Sequence, residues 1–183
     1  MLMFAATPPV LIPKPVVVEA TRYYEIQGRH EADLVKEMNA KGYRTGKTTY
    51  WGNTSTQVSW TFEVKKYPGQ ACRVVNPKVS IRITTTLPHW NPPAGTSDVV
   101  IRKWQKLYAA LQHHEGEHGQ IARDEGDAYV ALMRAHTSDD SCERLKAWLD
   151  DEGKKIRQAD SGKDAELDRR TRHGVDEGVS ISW

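Results

Sequence analysis

No uninterrupted apolar run in the 183 residues approaches the ~20 that a membrane-spanning helix needs, so a helical integral membrane protein is excluded. An excess of one charge is also lacking. Twenty-six Lys and Arg against 24 Asp and Glu leave +2, which is no footprint for a phosphate backbone, and nucleic acid is not an expected partner. There are only two cysteines, Cys72 and Cys142, too few and too far apart for a cysteine-built metal site. Phe is scarce, with two residues, whereas six Trp and seven Tyr point to half-exposed aromatics on a sheet with one wet face. No internal repeat is visible. With 38% hydrophobic and 27% charged residues, the chain can bury one core.

Two cysteines allow one disulfide or two buried thiols. A bond would close a loop of about 70 residues and contribute ~4 kcal/mol in the loop-entropy model. Residues 1–7 read as the tail of an export signal, apolar and then small, without a basic start. That favours the disulfide and an oxidising location, periplasmic or secreted. Pro8, Pro9, Pro13 and Pro15 make residues 1–15 an extended leader. A single domain is expected over 16–183: strand-rich at 16–90, helical at 97–170, with a C-terminal segment at 171–183.

The pattern at 16–26 is a strand, and Leu34, Val35 and Met38 place a short helix over 31–40, stopped at Gly42. Three antiparallel strands are expected near 46–52, 55–66 and 72–86, separated by turns at Gly52-Asn53 and Pro68-Gly69, with a further turn signal at Asn76-Pro77. Residues 87–95, with three prolines and a glycine, read as a loop. From Asp98 to about Thr137 an apolar stripe of three- and four-residue spacing marks one long amphipathic helix, or two nearly end to end, with Thr96 or Ser97 as cap. Ser138-Asp139-Asp140 reads as a turn and cap, and a second helix spans about 142–170. Seven acidic and seven basic residues between 150 and 172 read as a solvated face. Trp104 and Trp148 are expected as core anchors, and residues 179–182 as a short strand. The fold class is α+β: a small antiparallel sheet with one short helix, packed on two long C-terminal helices, zincin-like.

The chemistry is concentrated at His114-Glu115-x-x-His118 inside the long helix. Four residues are just over one turn, so both imidazoles project from one face and can reach one ion, with Glu115 beside them to deprotonate a water. Shuffling the composition gives the pattern in roughly 2% of sequences. The stripe from Trp104 through Leu111 carries these residues to the core side, where an unpaired carboxylate is costly. A catalytic zinc needs a third ligand. The metzincin spacing would need Gly and His where Ile121 and Asp124 stand. Glu143 or Glu152 would follow the gluzincin plan. Asp124 would need a broken helix, Glu125 lies two turns on as a supporting polar residue, and His173 follows the second helix.

Tyr24-Glu25-Ile26-Gln27-Gly28, Met38-Asn39-Ala40-Lys41-Gly42, Leu87-Pro88-His89-Trp90, Trp104 and Asp168-x-x-Thr171-x-His173-Gly174 accompany the motif. Together they resemble a bacterial family, domain-of-unknown-function family 922, predicted secreted zinc-dependent proteases; the likeness covers about residues 20–178. The resemblance implies His114 and His118 as zinc ligands, Glu115 as general base, His173 as third ligand, export, and the Cys72–Cys142 disulfide.

The expected function is a secreted or periplasmic zinc metallopeptidase that hydrolyses peptide or protein substrates through a zinc-activated water. Candidate oxyanion donors are His89, Tyr129 and Arg172. By analogy, the strand near 79–86 would be the edge on which substrate docks. The alternatives are a non-catalytic cell-envelope binding module, with zinc or without metal, presenting Tyr50, Trp51 and Trp60, and a periplasmic zinc carrier.

Overall fold

The computed structural model describes residues 10–180. The chain runs β1 (Val16–Ile26), α1 (Glu31–Lys41), β2 (Tyr43–Thr45), β3 (Thr48–Tyr50), β4 (Asn53–Lys66), β5 (Cys72–Trp90), α2 (Asp98–Ala135), β6 (Ser138–Asp139) and α3 (Cys142–Thr171), then a 3-10 turn (Val175–Glu177). It is an α+β fold. The main sheet has the order β1-β5-β4, with β1 parallel and β4 antiparallel to β5. β6 adds to the start of β5 at Cys72 and Arg73.

The expected strand at 46–52 is instead a separate hairpin, β2 on β3, because Gly46 turns the chain at a φ of 60° and Tyr43 pairs back to Tyr50. Asn76-Pro77 is not a turn but a bulge. Thr61 faces Lys78 while Glu63 faces Val75, so β5 carries one extra residue there, and Asn76 takes the positive φ of 51°. Residues 87–90 are strand rather than loop. β4 begins opposite Thr86, so beyond that point β5 has β1 as its one neighbour among the described residues, and Pro88 removes no bond from a β4 ladder. Ser138-Asp139 is strand, and the cap of α3 is Ser141, which accepts from the Arg144 N–H at 3.3 Å.

α2 is a single helix of 38 residues, capped by Ser97, and lies under β4 and β5. Its buried stripe runs through two apolar clusters. Val100, Trp104, Leu107 and Leu111 meet Ile26, Leu34, Met38, Trp51, Leu87 and Trp90. Ala122, Tyr129, Val130 and Met133 meet Val79, Ile81, Ile83, Leu145 and Leu149. His114 and Glu115 fall on the same stripe, in the gap between the clusters. α3 folds back along α2, and the Cys72–Cys142 disulfide ties its start to β5.

Trp104 is in the core, but Trp148 is 39% exposed and lies 4.3 Å from the His136 ring, because Leu145 and Leu149 take the inward face of α3. Trp51 is buried, its indole donating to Asn39, and Trp60, partly buried, stacks on Tyr129. Ile12, in the expected leader, packs into the core. Of the expected strand at 179–182, Val179 and Ser180 are not strand, and residues 181–182, like residues 1–9, lie outside the described residues.

Candidate metal centre

The helical period of α2 sets His114 and His118 on one face, with ring centroids 5.0 Å apart and at right angles. α3 supplies the opposing side from its last turns. Asp168 Oδ1 lies 3.3 Å from His114 Nε2 and 3.2 Å from His118 Nε2. Donor atoms of His114, His118 and Asp168 all fall within 4.8 Å of one another, a group able to hold a metal ion. The other ring nitrogens are held as well. His118 Nδ1 is 2.8 Å from Asp164, and His114 Nδ1 is 3.0 Å from Glu177 of the 3-10 turn. Carboxylates on the outer nitrogens fix ring orientation and direct both Nε2 atoms inward.

His114 and Glu115 are 4% and 5% exposed. Burial pushes the Glu115 carboxyl above the ordinary carboxylate range, while a hydrogen bond from Thr54 and the charges of His118 and His114 pull the other way. The Thr54 hydroxyl also lies 3.0 Å from the Glu115 carbonyl oxygen, to which it donates, pinning β4 to α2 at this point. Gly52 is required here: a Cβ would stand 2.6 Å from Glu115 Oε1. For His118, burial opposes protonation, but the hydrogen bond that the ring donates to Asp164 and the charges of Asp168, Asp164 and Glu115 outweigh it, and its pKa is raised.

These residues open onto a cleft of about 290 Å³. Tyr43, Tyr50, Asn53 and Thr54 form one wall, and Asp168 and His173 the other. Three successive residues with positive φ, Arg172, His173 and Gly174, turn the chain out of α3. Thr171, itself buried, accepts the Gly174 N–H at 3.0 Å, and Gly174 brings the backbone against the His114 ring, where a Cβ would sit 3.1 Å from Cγ. This turn delivers His173 to the cleft rim. It is half exposed, its Nδ1 lies 3.2 Å from Asp168 Oδ1, and its ring is 4.9 Å from Tyr50. His173 thus reaches Asp168 but stands outside the three-residue group.

The other expected site residues are elsewhere. His89 is exposed and paired with Glu25 at 2.8 Å, because β5 continues as strand through this position. Tyr129 is fully buried and donates to Glu125 at 3.0 Å. Glu125 also meets Arg157 and does not line the cleft. Arg172 is exposed and pairs with Asp176. Asp124 and Glu143 are exposed, and Glu152 pairs with Lys155. The expected docking strand, 79–86, is central and closed on both edges by β1 and β4. The edge beside the cleft belongs to β4.

Asp164 and Glu177 were not singled out in the sequence, and Asp168 stood only in the family element, without a role. The charged run 150–172 is not wholly a solvated face: Asp160 is 4% exposed, and Asp164 and Asp168 follow it at four-residue spacing toward the α2 histidines. That spacing was the available signal.

Fold and site together define an α+β domain with a helix-borne His/Asp group of metal-ligating type. Residues 21–174 match the model of a family described as bacterial protein of unknown function (DUF922), and the chain belongs to that family. No curated protein and no solved structure gives a significant match.

Proposed function

We propose that the chain is a zinc-dependent peptidase, with His114, His118 and Asp168 as ligands and Glu115 as general base. The observation that carries this reading is the convergence of both Nε2 atoms on Asp168 Oδ1 at 3.2 and 3.3 Å. With zinc–nitrogen bonds of 2.0–2.1 Å, two donors on one tetrahedral zinc stand about 3.3 Å apart, and two histidines with a carboxylate are a known catalytic ligand set. The donor set therefore fits zinc.

When bound, zinc supplies Lewis-acid polarisation of a carbonyl and lowers the pKa of a water. Glu115, buried with its carboxyl pKa raised, takes the proton of the attacking water and returns it to the departing amine. Asn53 and Thr54, at the open edge of β4, offer backbone groups to an extended peptide lying along the cleft. His173, steadied by Asp168 and Tyr50, is the side chain set to donate to the carbonyl oxygen as charge develops. The Cys72–Cys142 disulfide fits an exported protein working in an oxidising compartment.

The test pairs metal content with turnover of fluorescently labelled casein. Wild type should keep zinc through buffer exchange, and His118→Ala and Asp168→Asn should lose it. Glu115→Gln should keep the zinc and lose roughly 10²–10⁴-fold in activity. Full activity in Glu115→Gln would sink the mechanism.

A further inference from the structure

One residue back from the proposed zinc ligands, α2 repeats the same spacing with a different pair, His113 and Glu117. Donor atoms of His113, Glu117 and Glu177 all lie within 4.8 Å of one another. His113 Nε2 and Glu117 Oε2 are 3.8 Å apart, too long for a hydrogen bond and near the ~3.3 Å separation of two donors on one tetrahedral ion. A second observation points to a missing ligand. Glu117 Oε2 is the one side-chain oxygen or nitrogen among the described residues that is fully buried and has no hydrogen-bond partner. A carboxylate oxygen shut from water without a donor is costly. The nearest guanidinium, from Arg170, stands 3.8 Å from the other oxygen, Oε1. Glu177 belongs to both groups, since its Oε2 holds His114 Nδ1.

We propose that His113, Glu117 and Glu177 form a second divalent-cation site, separate from the inner one and joined to it through Glu177. One imidazole and two carboxylates suit a borderline cation such as zinc, and an exposed histidine beside partly buried carboxylates makes the site weaker than the inner one. The outer ion would satisfy Glu117 Oε2.

The experiment titrates zinc into the metal-free full chain against a chromophoric chelator. Wild type should take two equivalents. His113→Ala and Glu117→Gln should each keep the tighter equivalent and lose the weaker. His118→Ala should do the reverse. His113 is largely exposed, so its replacement leaves the core untouched. A second equivalent that survives in both His113→Ala and Glu117→Gln overturns the proposal, as does a single wild-type equivalent removed by His118→Ala. A single wild-type equivalent removed by His113→Ala instead would uphold the outer site and refute the inner one.

Discussion

The two ends of the α2–α3 pair are fastened by opposite means. At the connected end, the Cys72–Cys142 bond, the β6–β5 pairing and the fully buried Met133, Leu145 and Leu149 hold the helices to each other and to the sheet. At the far end, the contacts are His114 and His118 against Asp164, Asp168 and Glu177. The first set is indifferent to protons and ions. The second is strengthened when an imidazole is protonated or a cation lies between the groups. Stability is thus concentrated at one end, which leaves the other able to carry charged groups that would weaken a core.

Removing the covalent tie gives the largest expected change. Replacing both Cys72 and Cys142 by Ala should lower unfolding stability by about 4 kcal/mol, measured by urea denaturation of the metal-free chain. Zinc affinity should stay within a few-fold of wild type. A large loss of affinity would mean that the two ends are mechanically coupled and the contrast between them is false.

Next in size is the far end. Asp164→Asn should weaken zinc binding by roughly 10–100-fold, because the outer nitrogen of His118 loses its charged acceptor, while urea stability of the metal-free protein changes little above pH 8. The same pair sets a pH dependence. The folded pKa of His118 lies above its unfolded value of about 6.5, so in metal-free protein its stabilisation is complete below that value and fades as pH rises through the folded pKa. Melting curves from pH 5.5 to 8.5 should fall over that window without metal, and Asp164→Asn should flatten them. With zinc the trend should reverse, since the ion competes with the proton for the ring.

The same contrast governs what could be read from the sequence. The long periods of α2 and α3 and the strand at 16–26 were legible because many residues agree on one pattern. So was His114-Glu115-x-x-His118, since one helical turn suffices to bring its members together. Asp164, Asp168 and Glu177 meet those histidines from 46 or more residues away, and their role depends on the register of α3 on α2, which no local pattern encodes. Asp164 and Asp168 were also hidden in a run of balanced charge. His173 was reachable through its family element, but the turn that carries it ends at the rim, on Asp168. Leu87–Trp90 reads as loop for a related reason: its one proline, Pro88, is tolerated because β4 starts late, a fact about a neighbour rather than about the segment itself.

The smallest prediction concerns a glycine inside the motif. Gly116 sits in the middle of α2, where Gly costs about 1 kcal/mol relative to Ala. Unlike Gly52, whose added Cβ would strike Glu115, Gly116 would place its Cβ with nothing within 4 Å among the described residues. No packing demands glycine there. It borders a cavity of about 260 Å³ that reaches Glu115 from the side of β1, with Gly119 and Arg123 on the same wall. Gly116→Ala should therefore raise stability by about 0.5–1 kcal/mol in urea denaturation and leave zinc content unchanged. If casein turnover is also unchanged, the glycine is a tolerated weakness at the end of the molecule where the disulfide does not act. If turnover falls while stability rises, misfolding is excluded as the cause. The open space beside Glu115 would then be part of how the base works.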